Sequence, residues 1–126
     1  MRLTSLLFAP LIAATPALAE DVAYSMNGEA FTGYWAEAAE PKGLVLIVHD
    51  WDGMTDYERQ RADMLAEMGY NAFALDMFGD GTPTETMDHR RAATGALYKD
   101  RERMRALLQI GAAQATERSG TDAMVV

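Results

Sequence analysis

Leu44-Val45-Leu46-Ile47-Val48-His49-Asp50-Trp51-Asp52-Gly53-Met54 passes from five unbroken apolar residues into a polar, carboxylate-rich segment. An uninterrupted run of leucine and β-branched residues belongs to a strand buried on both faces, the situation of a parallel strand inside a sheet. His49 to Met54 is then the loop leaving the carboxyl end of that strand. Thr55 follows as an N-cap, and Glu58 stands three residues on, the reciprocal pattern of a capping box. Tyr57, Arg61, Met64, Leu65 and Met68 recur at helical spacing, and Gly69 occupies the position where a left-handed residue closes a helix. Asn71-Ala72-Phe73-Ala74-Leu75-Asp76 reads as a second buried strand. Strand, helix and strand in this order make a β-α-β unit and imply a parallel sheet covered by helices.

On the N-terminal side, Val22 to Met26 and Glu29 to Trp35 read as strands. Asn27-Gly28 between them favours a type I′ turn, because both central residues of that turn need positive φ. The segment Glu37 to Gly43 ends this antiparallel hairpin. On the C-terminal side, Phe78-Gly79-Asp80-Gly81-Thr82-Pro83 is a turn-rich loop. Thr86 to Tyr98 and Asp100 to Arg118 read as helices, the second with Met104, Leu107, Leu108 and Ala112 on one stripe. Ser119-Gly120 ends it, and Ala123-Met124-Val125-Val126 begins another strand. A sheet ending on a bare apolar strand reads as a truncated domain.

The chain has 126 residues, one domain's worth, with a formal net charge of −8 and no cysteine. So acidic a surface repels phosphate backbones and anionic lipid heads, which argues against a nucleic-acid partner. Met1-Arg2 is a short positive start, Leu3 to Ala14 is largely apolar, and Pro16-Ala17-Leu18-Ala19 puts small residues at the −3 and −1 positions of a cut before Glu20. Residues 1–19 therefore read as an export signal, residues 20–126 as the mature domain, and the compartment as periplasmic or extracellular. No membrane association is expected after cleavage, and no feature of the sequence sets an oligomeric state.

In open parallel sheets, ligands sit beyond the carboxyl ends of the strands. That rule selects His49, Asp50, Trp51 and Asp52 after one strand and Asp76, Met77 and Phe78 after the next. Two readings of the first group compete. In one, Val48 to Gly53 resembles the D-x-D-G motif of haloacid dehalogenase-like phosphatases, which implies Asp50 as nucleophile, Asp52 as acid/base and Mg²⁺ between them. The preceding hairpin and an Asp76 where that family carries Ser or Thr argue against it.

In the other reading, four segments in order resemble the dienelactone hydrolase family of α/β-hydrolases. Gly33-Tyr34-Trp35-Ala36 is similar to G-Y-L-A, and His49 to Met54 to H-E-W-W-G-L. Arg61 to Tyr70 is similar to R-A-x-x-L-A-x-x-G-Y, and Ala74 to Gly81 to A-x-D-M-Y-G-x-G. The resemblance implies the N-terminal part of an α/β-hydrolase fold, hairpin first and parallel β-α-β units after, stopping before the nucleophile elbow. It implies hydrolysis of an ester or lactone, small and carboxylate-bearing in some members, with no cofactor and no metal. By position, Asp50 stands for the family's glutamate beside the nucleophile, one methylene shorter. Trp51 stands where a backbone N–H helps form the oxyanion hole, and Arg91 or Arg90 stands near a substrate-clamping arginine. The catalytic nucleophile, acid and histidine would all follow Val126, leaving the fragment without turnover. A third reading is an exported module that binds a small ligand without catalysis.

The remaining residues have plainer expectations. His49 reads as a structural strand-end histidine and Asp76 as a cap for the turn that follows it. Met64, Met68 and Met104 read as core, and Arg101, Arg103 and Arg105 as a solvated cluster.

Overall fold

A computed structural model describes residues 18–126. The expected export signal lies outside the described residues apart from Leu18 and Ala19. The elements run β1 (Leu18–Met26), β2 (Glu29–Glu37), β3 (Leu44–Val48), α1 (Asp56–Glu67), β4 (Asn71–Leu75), α2 (Met87–Lys99), α3 (Arg101–Ser119) and β5 (Met124–Val125). They form one five-stranded mixed sheet in the order β1-β2-β4-β3-β5.

The hairpin turns at Asn27 (φ 52°) and Gly28 (φ 84°), the pair of positive φ values that a type I′ turn requires. It is longer than expected: Leu18 pairs with Glu37 and Ala19 with Ala36. β2 pairs antiparallel with β4 through Tyr34, Trp35 and Ala36, and Gly33 makes the approach possible. A Cβ there would lie 2.6 Å from Phe73 Cζ and 2.8 Å from the Ala74 carbonyl oxygen. β3, β4 and β5 run parallel, with β3 in the middle.

The two faces of the sheet carry different cores. One face holds large side chains: Phe31, Trp35, Leu44, Phe73 and Leu75 pack with Leu107 of α3, and all six are fully buried. Each contributes about 1.5–3 kcal/mol of burial. The other face is small: Ala36 and Ala72 meet Ala62 and Ala66 of α1. This pairing of alanines overturns one expectation. Met64 and Met68 are not core; they are 47% and 60% exposed, and Tyr57 is exposed with them. The sheet offers alanine-sized neighbours, so the helix turns its alanines inward for close contact and its methionines outward. Met104 does pack against the large-residue core.

Helix ends follow the local chemistry. Thr55 caps α1 in a complete capping box with Glu58, Thr86 caps α2, and Asp100 caps α3. The arginine cluster is not uniformly solvated. Arg103 is half-buried, ion-paired with Glu29 and set over the Phe31 ring at 5.8 Å.

Candidate active site

The strand order places the site. From β3 the chain crosses through α1 to β4 on one side, then returns through α2 and α3 to β5 on the other. β3 is thus where the direction of winding reverses. The crevice outside the carboxyl ends of strands at such a point is where open α/β sheets bind ligands. The loop leaving β3 is His49 to Met54, while β5 pairs with the first residues of β3, Met124 with Leu44 and Val125 with Val45.

A cleft of about 270 Å³ opens there, with Trp51, Met77, Phe78, Leu97, Tyr98 and Met104 among its walls. His49 and Asp50 reach it as well. The surface is mostly apolar, as small-molecule clefts are.

His49 is buried, and its two ring nitrogens have different jobs. The Met77 backbone N–H donates to Nε2 at 3.0 Å. Nε2 must then be the acceptor, which leaves the proton on Nδ1, 2.7 Å from the Asp50 carbonyl oxygen. The Phe78 ring meets the imidazole edge-on at 4.6 Å. His49 therefore bridges the loop after β3 and the loop after β4.

Asp76 builds the second loop. Its Oδ1 accepts from the Phe78 and Gly79 N–H groups at 2.9 and 3.1 Å, the cap expected from the sequence. Burial pushes the carboxyl up, but the His49 ring and these two amides more than offset it and hold Asp76 below the usual carboxylate range. A hydrogen bond from His49 would need a proton on Nε2, which the Met77 bond excludes, and the separation is 3.7 Å. The two amides donate directly to Oδ1, and the Thr32 N–H approaches Oδ2 at 3.5 Å. Tyr24, which nothing local in the sequence marks out, reaches across from β1. Its hydroxyl donates to the Asp76 carbonyl and accepts from the Asp76 N–H, both at 2.9 Å. Burial raises its ionisation above the ordinary tyrosine range.

Asp50 is exposed at the cleft mouth. A hydrogen bond with the neighbouring Asp52 carboxyl lifts it above the usual carboxylate range; slight desolvation and the charges of Asp52 and Glu58 add to this, and the Trp51 N–H opposes it. Asp50 and Trp51 are thus brought together at the cleft. The two arginines are not equivalent. Arg90 lies over the Trp51 ring at 5.7 Å, and its Nε donates to the Thr84 carbonyl at 2.7 Å. Arg91 points to solvent and meets Asp88 at 3.4 Å, away from the cleft walls. His89, the second histidine, pairs with Glu85 on an exposed helix face. Among the described residues, no group of three or more His, Cys, Asp or Glu side chains is arranged to hold a metal ion.

A mixed sheet that winds both ways from β3, with a polar loop and an apolar cleft at its carboxyl rim, defines the N-terminal part of an α/β-hydrolase fold. The model of the dienelactone hydrolase family matches residues 31–126, and the chain belongs to that family. The haloacid dehalogenase-like reading of Asp50 and Asp52 falls with this assignment. Among solved structures, one named m3DLH matches with a TM-score of 0.70 at 26% identity, over 79% of this chain and 42% of that one. A dienelactone hydrolase-like promiscuous phosphotriesterase from metagenomic libraries matches at 0.67 and 24% identity, over 82% of this chain and 43% of that one. A protein from Klebsiella pneumoniae subsp. pneumoniae MGH 78578, named as a dienelactone hydrolase, matches at 0.66 and 22%, over 85% and 47%. The chain spans less than half the length of each of these structures. No curated protein matches it.

Proposed function

We propose that this chain forms one wall of the active site of a hydrolase that cleaves ester or lactone bonds in small substrates by acyl transfer. The observation that carries this reading is the position of the Asp50–Trp51 peptide, in the wall of the cleft at the carboxyl end of β3, where the winding of the sheet reverses. In the proposed mechanism the scissile carbonyl lies in this crevice. The Trp51 N–H donates to the oxyanion as it develops, an interaction worth about 3–4 kcal/mol of barrier for one such donor. Asp50 stands beside the nucleophile, which would follow β5 on the elbow of the fold. The chain itself has no cysteine, and His49 is committed to two backbone partners.

A carboxylate on the substrate would meet Arg90 at the Trp51 edge of the cleft, whereas Arg91 serves the helix surface. The apolar stretch and small-residue cut site within residues 1–19 support an exported protein as part of this reading.

Hydrolysis of p-nitrophenyl acetate and of a small aryl lactone tests the proposal. The complete protein, with a nucleophile after β5, is expected to turn both over, and residues 20–126 alone to turn over neither. Turnover by residues 20–126 that is lost on mutating a side chain within them would refute the placement of the nucleophile. A complete protein inert toward both substrates would refute the hydrolase reading.

A further inference from the structure

We propose that His49 is the positioning residue of the oxyanion wall: it clamps the Asp50–Trp51 peptide so that the Trp51 N–H faces the crevice. The inference rests on the reading of Trp51 given above and adds a residue to it.

The argument begins with the peptide. The carbonyl and N–H of one trans peptide point in opposite directions within a plane, so fixing one fixes the other. The Asp50 carbonyl accepts from His49 Nδ1–H at 2.7 Å and from the Gly53 N–H at 3.2 Å. The shorter bond comes from the imidazole. With the carbonyl held back against the protein, the N–H of Trp51 is turned outward. Among the described residues, the one acceptor it meets is the Asp50 carboxylate at the cleft mouth, which the Trp51 N–H pulls down.

The clamp works only if the ring is itself fixed. The His49 side chain is 1% exposed. Phe78 closes on it edge-on at 4.6 Å, and the Met77 N–H holds Nε2 at 3.0 Å. Met77 is placed in turn by Asp76, whose carboxylate and backbone are hydrogen-bonded on both sides. A chain of contacts therefore runs from Tyr24 and Asp76 through Met77 and His49 to the Asp50–Trp51 peptide. It carries the register of β4 into the geometry of the loop after β3. Imidazole suits the task because it presents a donor and an acceptor on one rigid ring. An amide side chain can reproduce only one of the two bonds at a time. Asparagine places a donor near Nδ1, and glutamine reaches toward Nε2.

Ring-nitrogen NMR of the complete protein is expected to find His49 protonated at Nδ1 and unprotonated at Nε2; a proton on Nε2 would overturn the proposal. His49→Asn is expected to leave the Trp51 amide resonance near its wild-type position, whereas His49→Gln and His49→Leu displace it. Equal displacement by Asn and Gln overturns the clamp, and that comparison stands even if the leucine variant does not fold. In the complete protein, His49→Leu is expected to lower kcat for p-nitrophenyl acetate by up to about 100-fold, with KM little changed and His49→Asn restoring most of the loss. A rise in KM alone would overturn it. An inactive wild-type protein would remove the hydrolase reading, while the NMR results still decide whether His49 positions the peptide.

Discussion

Replacing Asp76 tests how the rim of the cleft is held together. In Asp76→Ala the Phe78 and Gly79 N–H groups lose the acceptor they meet at 2.9 and 3.1 Å. A hydrogen bond to a charged acceptor is worth about 1.5–3 kcal/mol, and a turn at the edge of the sheet recovers part of that through water. The expected cost is about 3 kcal/mol at pH 7. At about 3–5 °C per kcal/mol for a domain of this size, Tm falls by about 10–15 °C. Asp76→Asn keeps an oxygen for the two amides and loses only the charge, so about 1–1.5 kcal/mol is expected. The pH dependence has a definite sign. The folded carboxyl is held below the ordinary range, so its stabilisation is fully present above the unfolded value of about 3.9. It is lost as pH falls through the folded value, below about pH 4. Urea denaturation of wild type and both variants at pH 7 and pH 3 measures this. The gap between wild type and Asp76→Asn is expected to shrink at pH 3. A gap of the same size at both pH values, or an Asp76→Ala cost under about 1 kcal/mol, would refute the role assigned to this carboxylate.

The same substitution should have opposite signs at two helical glycines. Gly95→Ala meets nothing within 4 Å and is expected to stabilise by about 0.5–1 kcal/mol, whereas a Cβ on Gly111 would lie 2.8 Å from Leu75 Cδ1. Gly111→Ala is expected to destabilise by about 1–2 kcal/mol after the gain in helix propensity, and thermal melts of the two variants check the contrast. Asp52→Asn removes the neighbour that lifts Asp50, so an NMR titration of the Asp50 carboxyl should move toward the ordinary carboxylate range. Trp35 is 1% exposed and Trp51 39% exposed, so fluorescence quenching by added iodide reports mainly on Trp51. Arg90→Ala should increase that quenching by uncovering the ring; Arg91→Ala should leave it unchanged.

The elements and their ends were legible because their causes are local. The Asn27-Gly28 turn, the Thr55–Glu58 box and the apolar runs of β3 and β4 act between residues a few positions apart. The rim loops were legible as a site for the same reason, since parallel strands end there. The roles of individual side chains at the rim were less so. Arg90 and Arg91 are adjacent and alike in the sequence, and only the direction each leaves α2 separates the one over Trp51 from the one in solvent.

Sequence by itself determined the family and the β-hairpin-then-β-α-β order, because periodicity, turn chemistry and capping are written in consecutive residues. Tertiary structure decided which face of α1 is inside, since Met64 and Met68 fit helical spacing as well as Ala62 and Ala66 do. The alanines of β2 and β4 across the interface made the choice. It also decided what His49 does. Its Nε2 accepts from the amide N–H of Met77, twenty-eight residues away, and only the parallel pairing of β3 with β4 brings the two loops within hydrogen-bond reach.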